Sequence, residues 1–159
     1  MAEVDMIKAR EVYHTLLKML DSINWTYDRN DEKLLIKSGV RGDDLPVDFV
    51  MLVRPQNQVI QFISSLPFKI SEDKRVEAAV AVCVANYNLV HGSFDYDIRD
   101  GEISFRLTSS YRDSKIGEEM LKYMVMVAAS TTDSYNDKFF MLSKGALTVQ
   151  EFIKQENAK

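Results

Sequence analysis

Phe94-Asp95-Tyr96-Asp97-Ile98-Arg99-Asp100-Gly101-Glu102-Ile103-Ser104-Phe105-Arg106-Leu107 alternates apolar and polar residues on both sides of Asp100-Gly101. An Asp-Gly pair between two alternating runs signals a β-hairpin, because glycine takes the positive φ that a tight turn requires. With Asp100-Gly101 as a two-residue turn, Ile98 would face Ile103, Tyr96 would face Phe105 and Phe94 would face Leu107. On the other face Arg99 would meet Glu102, and Asp95 would meet Arg106. Turn chemistry, apolar alternation and charge pairing then agree on one register.

Upstream, Ser71-Glu72-Asp73 predicts a helix start, with the serine as N-cap and two acids at the positive end of the dipole. Val76, Ala79, Val80, Cys83, Val84 and Tyr87 form its stripe, widened by Ala78, Ala81, Val82 and Ala85, and Gly92 ends it. Such small, nearly all-round apolar character predicts close packing on a sheet. Cys83 is therefore expected to be buried and inert. Val80→Ala or Val84→Ala is expected to cost about 1–3 kcal/mol.

Downstream, Ser114 reads as the cap of a long helix running to about residue 144. Its broad apolar face would carry Ile116, Met120, Met124, Val127, Ala128, Tyr135 and Leu142. The poor helix formers from Ser130 to Ser134 would permit a kink. Gly145 suits a C′ position, and Thr148-Val149-Gln150-Glu151 is a capping box for a last short helix. In the first half, residues 3–21 read as an amphipathic helix, and strands are expected over 25–28, 33–37, 47–53 and 58–63. Gly39, Gly42, Asp43, Asp44 and Pro46 mark a loop between the second and third strands. The expected fold is α+β: a mainly antiparallel sheet with helices packed on it, in the order α-ββββ-α-ββ-α(-α), as one domain over 1–159.

Composition narrows the function. The chain has 159 residues, is 46% hydrophobic and carries a formal charge of −4, without the clustered Lys and Arg that a nucleic-acid partner requires. The N-terminus lacks the basic start and apolar run of a signal peptide, and no stretch matches a membrane span, so a cytoplasmic protein with no membrane partner is expected. Cys83 is the one cysteine, which excludes an intrachain disulfide.

No residue pattern points to catalysis or a cofactor. His14, His91 and Cys83 lack metal-ligand spacing. Asp95 to Gly101 resembles a calcium loop only superficially, with Arg99 where an oxygen ligand belongs and Asp100 where glycine belongs. There is no nucleophile elbow, and the six glycines are dispersed rather than gathered into a phosphate loop. The methionines are more suggestive, with Met120, Met124, Met126 and Met141 all on the long helix. Met126 and Phe140 fall off its main apolar face, among charged residues.

A family resemblance runs through the same residues. Arg75-Val76-Glu77-Ala78-Ala79 leads to Asn86-Tyr87-Asn88, then to Gly92-Ser93-Phe94-Asp95-Tyr96-Asp97 and Asp100-Gly101-Glu102-Ile103-Ser104-Phe105-Arg106. With Asp133-Ser134-Tyr135 and Lys144-Gly145-Ala146-Leu147-Thr148, these stretches resemble the YbjN-like family of small bacterial proteins. That family shares the type III secretion chaperone-like fold. The resemblance implies a chaperone-like or regulatory role in the bacterial cytosol, often as a dimer, and no catalytic residues. The expected function is a non-enzymatic module binding another polypeptide through an apolar surface or a sheet edge. Met126 and Phe140 are its candidate contacts, and a homodimer is expected. The competing expectation is a small-molecule sensor or minor enzyme with a pocket between sheet and helices.

Overall fold

The computed structural model describes residues 5–41 and 45–158. The expected helix residues 3–4 and the loop residues Gly42, Asp43 and Asp44 lie outside them.

Helix α1 (Met6–Ser22) is capped by Asp5, whose carboxylate accepts from the Lys8 N–H. Four strands follow: β1 (Asp28–Asn30), β2 (Leu35–Arg41), β3 (Pro46–Arg54) and β4 (Val59–Lys69). A short 3₁₀ turn (Glu72–Lys74) leads into α2 (Arg75–Tyr87). The chain closes with β5 (Ser93–Asp97), β6 (Glu102–Ser110), α3 (Glu118–Ser143) and α4 (Val149–Asn157). The six strands make one antiparallel sheet in the order β1-β2-β3-β4-β6-β5. The α+β architecture is the one expected.

Alternation decides which face of the sheet carries the core. Val47, Phe49, Met51 and Val53 of β3 are buried, as are Ile60 and Phe62 of β4 and Ile103, Phe105 and Leu107 of β6. These face α1 and α3. β4 reaches six residues beyond its expected end, past a break in its pairing with β6 between Ser65 and Lys69. Pro67 lies inside that irregularity, where a missing N–H removes no ladder bond.

The hairpin forms, but two residues out of the expected register. Phe94 faces Phe105, Tyr96 faces Ile103 and Asp97 faces Glu102, leaving Ile98-Arg99-Asp100-Gly101 as a four-residue loop. The Gly101 N–H closes this loop on the Asp97 carbonyl at 2.7 Å. A two-residue slip keeps every side chain on its own face, so alternation cannot detect it. Asp95 still pairs with Arg106 at 2.7 Å, now diagonally, since Asp95 sits opposite Ser104. Arg99 turns back to Asp97 rather than crossing to Glu102.

Arg99 donates to the Asp97 carboxylate from both its side chain and its backbone, and this holds the acid down from 3.8 to about 2. A depressed folded value means that the contact stabilises the loop above pH ~4 and is lost as pH falls through about 2. In low salt, the Asp97 carboxyl carbon should titrate near 2 by NMR and move towards 3.8 in Arg99→Ala. An unchanged midpoint in that variant would remove Arg99 as the cause.

Helix α2 presents the opposite face from the one expected. Ala78, Ala81, Val82 and Ala85 are buried, while Val76, Val80, Cys83 and Tyr87 are exposed. Small residues allow the helix to sit close to β5 and α4. The expectation of a buried Cys83 and a costly Val80→Ala is therefore overturned, and Val84 is only partly buried. In α3 the N-cap is Gly117 rather than Ser114, the helix is unbroken through Thr132, and Met120 is exposed. Thr132 tolerates its buried place because its hydroxyl donates to the Ala128 carbonyl at 2.8 Å. The Thr148–Glu151 capping box is present at the start of α4.

Candidate protein-binding surfaces

Met126 and Phe140 do not form one patch. Met126 is 53% exposed. Phe140 is half-buried and has the internal partner that the helix wheel denied it: the Phe68 ring meets it edge-on at 5.3 Å. Phe68 follows Pro67 in the irregular stretch of β4, a placement that helix periodicity cannot show. Fourteen residues of helix also separate Met126 from Phe140, about 21 Å along the axis.

The larger uncovered surface lies on α2, which sequence reading assigned to the core. Val76 is 73% exposed, Val80 43%, Tyr87 91% and Val90 88%, with exposed Cys83 between them. Steps of four, three and four residues keep Val76, Val80, Cys83 and Tyr87 on one side of the helix, and Val90 follows three residues past its end. At the far end, the His91 ring meets Tyr123 of α3 edge-on at 5.6 Å, and Met126 follows Tyr123 by three residues. A run of large uncovered apolar side chains in a helical strip is the kind of surface that a partner covers.

A second uncovered surface is the outer face of the sheet. Leu35, Val50, Leu52 and Ile63 point away from the helices and are half-buried, with Leu35 opposite Leu52 and Val50 opposite Ile63. Arg54 bonds the Gln61 side chain at one border, and Arg106 with Asp95 forms another. This face ends at an open strand edge. β2 runs to Arg41, but β1 covers only Leu35–Lys37 of it, so Ser38–Arg41 lack a strand on that side among the described residues. A groove of about 520 Å³ runs along this edge between Tyr27, Lys37, Gly39, Asp48 and Val50. The Trp25 indole N–H donates to the Ser38 hydroxyl at 2.8 Å, and that hydroxyl donates to the Thr26 carbonyl at 2.7 Å. This relay fixes the groove wall.

Two asparagines of α2 and its end explain why the opposite edge differs. Asn86 accepts from the Phe94 N–H at 2.7 Å and donates to the Phe94 carbonyl at 2.9 Å, standing in for a neighbouring strand on the edge strand β5. Asn88 donates to the Glu156 carbonyl at 3.2 Å. Glu156 is a buried acid on α4 whose carboxylate accepts from Tyr135 at 2.7 Å and Lys138 at 2.9 Å. Burial, then the Glu156 bond, pushes the Tyr135 hydroxyl well above its ordinary value. These groups lock α4 onto α2 and α3. Their arrangement is structural, since every polar group faces another across a closed contact.

The model of the YbjN family, described as "Putative bacterial sensory transduction regulator", matches residues 14–141. No curated protein sequence matches the chain. Among solved structures, YbjN from E. coli is similar with a TM-score of 0.60 and 11% identity, over 77% of this chain and 86% of that one. A chain of the ExsC–ExsE complex is similar at a TM-score of 0.58 and 11% identity, over 81% and 93%. A chain of the HopA1–SchA chaperone–effector complex gives 0.58 and 12%, over 85% and 99%. At these identities the likeness is one of fold. No described helix is long and apolar enough to cross a membrane.

Proposed function

The chain belongs to the YbjN family, and from that premise we propose that it is a non-enzymatic, chaperone-like or regulatory module of the bacterial cytoplasm that works as a homodimer and binds another polypeptide. One observation carries this reading: apolar side chains stay uncovered on two separate surfaces, the α2 strip and the outer sheet face. A homodimer that also holds a client needs two such surfaces. The chaperone–effector complex among the structural neighbours supports the client half of the reading.

The sheet face and its open β2 edge suit an extended client segment, which could add backbone hydrogen bonds at Ser38–Arg41 and place apolar side chains against Val50 and Leu52. The test is capture from bacterial cytosol with tagged wild type and with Leu52→Lys, read by mass spectrometry. Leu52 is only half-buried on the outer face, so the variant should fold. One dominant polypeptide is expected on the wild type, with recovery on the variant lower by about tenfold or more. Equal recovery on both would move the client site off the sheet. No polypeptide above an untagged control would end the binding-module reading.

A further inference from the structure

We propose that the slot between α2 and α3 is a helix-docking site that α4 masks, and that its outside partner is an amphipathic helix bearing an aromatic residue and, four residues on, a carboxylate near its C-terminal end. This inference rests on neither the homodimer nor the outer-face client.

The polar groups of the slot fit the end of a helix. Three donors converge on the Glu156 carboxylate: the Tyr135 hydroxyl at 2.7 Å and the Lys138 ammonium at 2.9 Å, both from α3, and the Asn88 amide at 3.4 Å, from beyond α2. Asn88 also donates to the Glu156 carbonyl at 3.2 Å, and the last carbonyls of a helix are the ones without an internal partner. One turn earlier, Phe152 stacks on the Phe139 ring at 5.5 Å, with Phe94 behind it at 5.2 Å from Phe139. Helix α2, whose buried face is mostly alanine, packs against α4 and leaves room for its backbone. Charge selects the occupant. Lys138 is mostly buried, so a helix without an acid at this position would leave that ammonium unpaired. A ring and an acid four residues apart lie on one side of a helix and reach both contacts together.

Helix α4 is the least embedded of the elements around the slot. Of its nine residues, Phe152 and Glu156 are the buried ones. It lies beyond residues 14–141, the part matched by the family model, whereas Asn88, Tyr135, Lys138 and Phe139 all lie inside that part. The link from α3, Lys144-Gly145-Ala146, is exposed, and Gly145 holds φ +71°. A helix this short does not persist alone in water, so α4 unfolds when it leaves the slot, while α1 to α3 keep their contacts with the sheet. A leucine in place of Glu156, facing an apolar residue in place of Lys138, would fasten α4 without desolvating two charges. The ion pair instead makes the slot selective for an acid-bearing helix.

Hydrogen exchange on the wild-type chain tests the mask. The amides of Phe152 to Glu156 should exchange at least about a hundredfold faster than those of β4, through an opening that leaves β4 protected. Exchange at the β4 rate makes α4 part of the global core and overturns the proposal. The docking site is tested with a labelled peptide of residues 145–159, titrated with the full chain and with full-length Phe152→Ala/Glu156→Ala, whose α4 has lost both anchors. The peptide should bind the variant at least about a hundredfold more tightly than wild type, where the tethered α4 competes at an effective concentration of about a millimolar. A peptide carrying Glu156→Gln should bind the variant about tenfold or more weakly than the unaltered peptide, because it brings no charge to Lys138. Glu156→Ala alone takes the place of the double variant if the latter loses its β4 protection. Equal binding to wild type and variant puts the peptide outside the slot and overturns the site. No binding to a folded variant, or no loss with Glu156→Gln, overturns it as well.

Discussion

Gly101→Ala is expected to lower the urea midpoint sharply, by a loss of about 3 kcal/mol or more. Two effects combine at this position. Gly101 holds φ +82°, a conformation that a side chain strains to adopt. A Cβ there would also stand 2.1 Å from the Ile70 carbonyl oxygen and 2.8 Å from the Ile70 nitrogen, both backbone atoms that no rotamer can move. The contact is close because the hairpin loop docks on the chain after β4, where the Ile70 N–H donates to the Gly101 carbonyl at 2.9 Å. Relief of the clash must separate these segments and break the bond. Gly117→Ala is the matched control: nothing lies within 4 Å of its Cβ and its φ is −91°. That variant should lose only about 0.5–1 kcal/mol, the preference of an N-cap for glycine over alanine. Equal midpoints for the two variants would show that the loop moves freely away from Ile70.

Glu156→Ala should cost about 3–5 kcal/mol, because it strips a buried charge from its partners rather than removing the pair together. The carboxylate is buried between Tyr135 and Lys138, both on α3, and Asn88 beyond the end of α2. Its loss leaves the Lys138 ammonium, which is mostly buried, facing a cavity. Nearby, Phe152 stacks on Phe139 at 5.5 Å, so α4 is held by one ring and one acid four residues apart. The α4 amides should exchange hydrogen much faster in the variant, ahead of global unfolding. Replacing both charges at once, Glu156→Leu with Lys138→Met, should recover at least about half of the lost stability. If Glu156→Ala costs no more than Glu119→Ala on the exposed first turn of α3, the anchor is not energetic.

Much of the architecture follows from local chemistry that the sequence displays openly. The hairpin turns within Ile98–Gly101 because Gly101, at φ +82°, meets its closing geometry cheaply, and α4 starts at Thr148 because the capping box satisfies its first donors. The element order, the antiparallel sheet and the family likeness were legible for the same reason. Periodicity, however, defines a residue's phase and not its partner. A two-residue slip of the hairpin preserves every face, so Phe94 could be paired with Leu107 or with Phe105 on the same pattern, and docking of the loop on Ile70 decides between them. In α2 both sides are apolar, and the buried side is the one whose alanines fit the close space beside β5 and α4. Hydrophobicity alone ranks Val80 and Cys83 above Ala81 for burial, and the structure reverses that order. Phe140 finds Phe68 only because β4 continues past Pro67, and Asn86 and Glu156 find Phe94 and Tyr135 only once distant segments meet. Elements were set by neighbours in the chain, whereas faces, partners and the uncovered α2 strip were set by contacts among residues far apart in it, where shape and space outweigh pattern.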